Sequence, residues 1–382
     1  MNIDTLILCG GGPVGLVEFG ILKKFLEKKE IVYEKIKNIY STSIGSIVGL
    51  IFILNNDYND ITHYLINRPY NKLYDLNLNN FLNIIKNKGL MNSDFIKTFL
   101  KSIMLASPLD VDENCTFLEL YNKTNIYFNI NSTCLNNFEL KMFNYLNTPE
   151  IKVLDAIYTA CSIPILFIPL SIDNNIYLDG GFISNCPIDN YIHDFKETID
   201  KDYSLSNCLI LYNDSSLKKD KNNIIKKRIN NDSSLFEILL HLINVISRRL
   251  SNLNNINNKF FFDSKYKINV SILMNSVSIR QWINIISNKN LIKKYICYGE
   301  NLADLYIKNN YCEYEEMYDL SIELYNLNES NESNESNESN ESNESNESNE
   351  SNDSNESNKS NKSNELNESN ESNESNESNE LN

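Results

Sequence analysis

Three short stretches hold residue types that can do chemistry together. The first is Gly10-Gly11-Gly12-Pro13-Val14-Gly15, bare backbone between an apolar run and a helical pattern. N–H groups at such a helix start can face an oxyanion or a phosphate. Pro13 has no N–H, so the donors fall among Gly11, Gly12 and their neighbours. The same spacing satisfies the Gly-x-Gly-x-x-Gly of a dinucleotide site, with Glu30 and Glu34 as ribose acids. The second stretch, Ser41-Thr42-Ser43-Ile44-Gly45, has the small-x-Ser-x-Gly form of a nucleophile elbow. Such an elbow needs small residues two before and two after the nucleophile, and a serine at a helix start gains from the dipole. A plain serine-rich helix cap is the competing reading. The third is Asp179, which closes an apolar run and precedes Gly180 and Gly181, residues that let backbone pass close to another element. An Asp-Gly turn is its alternative. His63, His193 and His241 sit in no recognisable motif, which leaves Asp179 as the better candidate to take the proton of Ser43.

These elements must be positioned by strand-turn-helix units. Thr5–Leu8 reads as a buried strand, followed by the glycines and an amphipathic helix over Leu16–Lys29, with Phe19, Leu22, Phe25 and Leu26 on one face. Asn38–Tyr40 reads as a second strand, turning at Ser41–Ser43 into the apolar helix Ile44–Leu54. Repeated units of this kind predict an α/β fold whose sheet has a parallel component.

In order and spacing, these residues resemble the patatin-like phospholipases, lipid acyl hydrolases that use a Ser-Asp dyad in place of a triad. Gly10–Gly15 with Gly20 and Leu22 is similar to the family's glycine loop, Ser41–Gly45 to its Gly-x-Ser-x-Gly elbow, and Asp179–Gly181 to its Asp-Gly-Gly/Ala motif. Thr148-Pro149, Asp155-Ala156, Ala160–Pro164, Phe167 and Pro169 resemble the segment before the aspartate, and Asn185-Cys186-Pro187-Ile188 the one after it. The resemblance covers residues 5 to about 200. It implies a three-layer fold with a central, mostly parallel sheet in a catalytic domain over 1–200. It also implies Ser43 as nucleophile, Asp179 as general base, an oxyanion hole from the Gly10–Gly12 amides in the loop closed by Gly15, and Ser41, Gly45, Gly180 and Gly181 as supports. No metal or organic cofactor is required. The expected substrate is a phospholipid or another acyl-ester lipid, cleaved in the manner of a phospholipase A or lysophospholipase.

Two positions depart from the pattern. Ser41 replaces the first elbow glycine, and Val14 stands where the family usually carries Lys or Arg. With the long Asn-rich additions, they motivate the alternative of a catalytically weak lipid-binding or partner-binding module.

Composition bounds the rest. The net charge of −16 belongs mostly to the Asn-Glu-Ser repeat over 328–382, which holds 15 Glu, one Asp and two Lys. The remaining body is near neutral and lacks the basic footprint of a nucleic-acid binder. A tail with almost no apolar residue is expected to be disordered. Residues 201–327 form an expected α-rich C-terminal extension, including a helix from Leu235 to Leu250 begun by the Ser234–Glu237 capping box. Its apolar residues run nearly all round, which predicts burial, with a lipid-facing helix as the alternative. Lys218–Arg228 reads as a solvated basic loop, and Trp282 as a core residue. The eight scattered cysteines show no metal-ligand spacing. A start without a basic region, and no apolar run of about 20 residues, predict a cytoplasmic protein whose membrane contact is peripheral.

Overall fold

The computed structural model describes residues 1–68, 86, 88–198, 205–213, positions between 238 and 250, 265–270 and 285–309. The chain divides into Met1–Ser330 and Asn331–Asn382, and every described residue lies in the first unit. The tail, Lys218–Arg228 and Trp282 fall outside the described residues.

The apolar run Thr5–Leu8 is strand β1, buried along its whole length. It pairs in parallel with β2 (Asn38–Thr42) on one side and β9 (Cys208–Tyr212) on the other. β2 pairs in parallel with β4 (Tyr127–Cys134), and β9 with β10 (Tyr266–Asn269). β5 (Glu139–Phe143) and β8 (Asn175–Asp179) run antiparallel to β4, and β7 (Ser171–Ile172) antiparallel to β8. The resulting eight-stranded sheet has the order β10-β9-β1-β2-β4-β8-β7, with β5 also on β4. β3 (Gly89–Met91) and β6 (Ile165–Phe167) make a separate parallel pair.

Alternation along the strands divides the core into two layers. Leu6, Leu8, Ile39, Leu209 and Leu211 point into the large apolar cluster. Ile7, Tyr40, Cys208 and Ile210 point into a smaller one on the opposite face. Helices α1 (Gly15–Glu27) and α2 (Ile44–Ile53) supply the large cluster, where α2 is buried almost all round. α3 (Tyr58–Asn67), capped by the Asp57 carboxylate, α4 (Asp94–Leu105), α5 (Phe117–Thr124) with its Thr116/Glu119 capping box, and α6 (Val153–Ala160) join it. α7 (Ile188–Thr198) covers the opposite face through Ile188, Tyr191 and Ile192. The three layers expected from the resemblance are present.

Residues beyond 200 contribute more than helix. β9 and β10 extend the sheet, and α8 (Lys289–Asn309) packs along α1, with Lys23 Nζ donating to Glu300 Oε1 at 2.6 Å and the Phe25 and Tyr306 rings 6.0 Å apart. The expected buried helix over 235–250 needs correction. Its described residues are helical, but Ile238, Leu239, Leu242 and Ile246 are exposed. An apolar circumference alone does not reveal which face a fold leaves to solvent.

Glu18 is a polar residue on the buried face of α1, fully buried, and neither carboxylate oxygen makes a hydrogen bond. Burial pushes its carboxyl well above the usual range, and the nearby Cys9 backbone offsets only part of this. An acid whose pKa is raised by folding stabilises the fold below its unfolded value and loses that contribution as pH rises towards the folded one. Glu18→Gln is therefore expected to flatten the decline of stability with rising pH. Urea denaturation of both chains between pH 5 and 8 measures it, and parallel stability curves would refute it.

Candidate active site

The sheet register brings the two candidate catalytic residues level. Thr42 of β2 lies opposite Asn131 of β4, and the next residue of β4, Ser132, lies opposite Asp179 of β8. Ser43, one step past Thr42, thus faces Asp179 across β4. The Ser43 backbone is at φ 53° and ψ −127°, a conformation that costs a non-glycine residue about 1–3 kcal/mol. This pinch projects its side chain from the strand-to-helix turn. Gly45 is required where α2 crosses β1, since a Cβ there would lie 2.6 Å from the Leu8 carbonyl oxygen. The departure from a glycine at Ser41 is accommodated: the residue is fully buried, its hydroxyl donates to Asn129 O at 3.0 Å, and Ser46 Oγ lies 3.1 Å from it within hydrogen-bonding reach.

Ser43 Oγ donates to Asp179 Oδ2 at 2.5 Å. The other carboxylate oxygen, Oδ1, accepts the Gly181 N–H at 2.7 Å, and the Asp179 carbonyl accepts from Thr133 Oγ1 at 3.0 Å. Gly180 packs against the Asn131 carbonyl, so the Asp-Gly-Gly turn is seated on β4. Burial pushes the Asp179 carboxyl up to about 6, against the opposing pull of the Ser43 and Gly181 hydrogen bonds. If the carboxylate is the working form, kcat/KM should climb tenfold per pH unit below about pH 6 and level off above it. Initial rates on a soluble ester between pH 4.5 and 8.5 test this, and a flat profile across pH 6 would exclude Asp179 as the titrating base.

No histidine among the described residues hydrogen-bonds to either group. His63 is exposed on α3, and His193 is exposed on α7 beside Asp194. The residue that motif reading left without a role is Cys161, at the end of α6. Its thiol lies beside Ser43 and in the field of Asp179, and burial, then the Asp179 charge, holds it well above the usual thiol range. It is a protonated neighbour rather than a thiolate nucleophile.

The glycine loop lies against Ser43: a Cβ on Gly10 would stand 3.2 Å from the Ser43 Cβ. The Gly10 N–H donates to Asn185 O at 3.0 Å, so this amide, expected among the oxyanion donors, is already committed. Gly12 takes the left-handed φ of 58° and opens a short turn into α1, where Gly15 abuts Ile44. Val14 is buried in the large cluster and leaves the loop without a cation at that position. Glu30, one of the two candidate ribose acids, pairs with the N-terminal ammonium at 3.5 Å.

A cleft begins at Ser43 and runs between α1, α2 and α4, past Phe19, Ile47, Ile51, Phe99 and Phe167. Its lining holds no charged side chain. Beneath the dyad four buried amides form a chain: Asn144 Nδ2 donates to Asn129 Oδ1 at 3.0 Å, Asn129 Nδ2 to Asn131 Oδ1 at 3.0 Å, and Asn131 Nδ2 to Asn190 Oδ1 at 2.9 Å.

The family profile "Patatin-like phospholipase" matches residues 6–192. "Probable lipid hydrolase 463L" of Invertebrate iridescent virus 6 is 29% identical over 187 residues, 48% of this chain and 62% of the relative. "Triacylglycerol lipase 5" of Saccharomyces cerevisiae is 28% identical over 169 residues, 43% of this chain and 22% of the relative. The chain thus spans less than two thirds of either relative's length. The crystal structure of VipD from Legionella pneumophila aligns at 13% identity with a TM-score of 0.35, covering 86% of this chain and 75% of that one. Among the described residues, no helix is long and apolar enough to cross a membrane. Residues 6–192, which carry the glycine loop, the elbow and the Asp-Gly-Gly turn, match the patatin-like phospholipase family.

Proposed function

We propose that this chain is a lipid acyl hydrolase of the phospholipase A or lysophospholipase type. The reading rests on one observation: a serine hydroxyl donating at 2.5 Å to a buried carboxylate at the head of an apolar cleft. Ser43 Oγ attacks the acyl carbonyl as its proton passes to Asp179. The N–H groups of Gly11 and Gly12 hold the tetrahedral oxyanion, since neither is committed to another described residue and Gly10 is spent on Asn185. Collapse breaks the ester bond and expels the alcohol portion, which takes the proton from Asp179. Water then attacks the acyl-enzyme, gives its proton to Asp179, and releases the fatty acid as Ser43 recovers its hydrogen. The uncharged cleft fits the acyl chain, with the polar part of the lipid left at the mouth.

The test is fatty-acid release from phosphatidylcholine vesicles, lysophosphatidylcholine micelles and a triacylglycerol emulsion, with a short-chain ester as control. Release from either phospholipid, abolished in Ser43→Ala, is expected. Hydrolysis of triacylglycerol alone would overturn the phospholipase assignment. Inactivity on all four substrates would remove the hydrolase reading in favour of a lipid- or partner-binding module.

A further inference from the structure

The glycine loop is held from outside the segment that carries the family motifs. The parallel register of β1 and β9 places Leu8 opposite Leu211, and Cys9 N donates to Leu211 O at 3.2 Å. Continued by two residues, this register sets Asn213 opposite Gly10. The Asn213 Nδ2 donates to Gly10 O at 3.4 Å, and Asn185 Nδ2 donates to the same oxygen at 3.2 Å. Asn185 O in turn takes the Gly10 N–H. The peptide groups on both sides of Gly10 are therefore gripped, one jaw from the loop after Asp179 and the other from the end of β9.

The glycines make room for the jaws. A Cβ on Gly11 would meet Asn213 Nδ2 at 2.6 Å, and one on Gly10 would meet Asn185 Oδ1 at 2.4 Å. The Gly11 N–H belongs to the peptide whose carbonyl is Gly10 O. Because a peptide unit is planar, fixing that oxygen fixes the direction of the opposed N–H. We infer that Asn213 is a positioning residue for ester hydrolysis: it orients the Gly10–Gly11 peptide so that the Gly11 N–H meets the developing oxyanion. This rests on the proposed hydrolase reading. It makes the rate depend on a residue beyond the 6–192 match.

The full-length chain, Asn213→Ala and Asn213→Asp are compared on a short-chain ester, together with amide hydrogen exchange by mass spectrometry. Aspartate keeps the shape but offers no donor to Gly10 O. Both variants are expected to lose about tenfold in kcat, with KM within twofold, because a misaimed oxyanion donor affects the transition state more than ground-state binding. Exchange should quicken in the peptide spanning Gly10–Gly12 and stay unchanged in that spanning Ser41–Gly45, with Tm within a few degrees of the parent. Wild-type kcat in both variants, or unchanged exchange at Gly10–Gly12, would overturn the assignment. So would a fall in kcat matched by a general rise in exchange, which is loss of fold. A parent inactive on esters would sink the hydrolase reading, and the inference resting on it, even if local exchange still quickened.

Discussion

Asp179→Asn is expected to lose about 10³–10⁴-fold in kcat/KM while becoming more stable than the parent above pH 6. The two effects have one cause. Asp179 is buried beside Ser43, and its pKa rises from 3.8 to about 6 because the fold removes its charge from water. A group whose folded pKa is raised contributes stability below its unfolded value. That contribution is lost as pH passes from 3.8 to about 6. The shift corresponds to about 3 kcal/mol, charged against the native state at neutral pH. Asparagine carries no charge, accepts the Gly181 N–H and can donate to Ser43 Oγ, but it cannot take a proton. Urea denaturation at pH 5 and pH 8, with ester hydrolysis on the same samples, measures both. A variant that keeps activity, or one less stable than the parent at pH 8, would contradict the account.

Asn131→Leu should be the most damaging single change among the buried asparagines, costing about 2–5 kcal/mol. Asn131 is fully buried, accepts from Asn129 at 3.0 Å and donates to Asn190 at 2.9 Å. Leucine matches its volume but strands a donor on one side and an acceptor on the other. Each buried group left unpaired costs about 1–3 kcal/mol. Removing Asn129 as well relieves one of them, so the double variant Asn129→Leu/Asn131→Leu should cost less than the sum of the singles. Equilibrium unfolding of the three variants measures the coupling, and strict additivity would show that the amide chain does not act as a unit.

The pairing of Ser43 with Asp179 was legible in the sequence because an elbow imposes local size limits. Ser41, Ser43 and Gly45 meet them within five residues, and Asp179 is followed by the two glycines its turn needs. The parallel part of the sheet was legible from β1 and β2, whose apolar runs border glycine and serine turns, and the three layers from the family resemblance. What stayed hidden depends on distant pairing. The Gly10 amide looks like its neighbours until Asn185 is folded onto it. Asn213 is one asparagine in an Asn-rich stretch, and only the β1–β9 register gives it a partner. The five-residue β9 is too short an apolar run to separate from helix by periodicity. Cys161 lay inside the matched motif text, but nothing in a one-dimensional pattern places a thiol beside Ser43.

The central claim is that Ser43 becomes the covalent acyl carrier through Asp179. An alkyl fluorophosphonate, which phosphonylates an activated serine and is not turned over, tests it directly by peptide mass spectrometry of the labelled chain. One adduct on Ser43 is expected, absent in Ser43→Ala and formed far more slowly in Asp179→Asn. An unlabelled Ser43, an adduct on Cys161 in its place, or equal labelling rates in the parent and Asp179→Asn would contradict it.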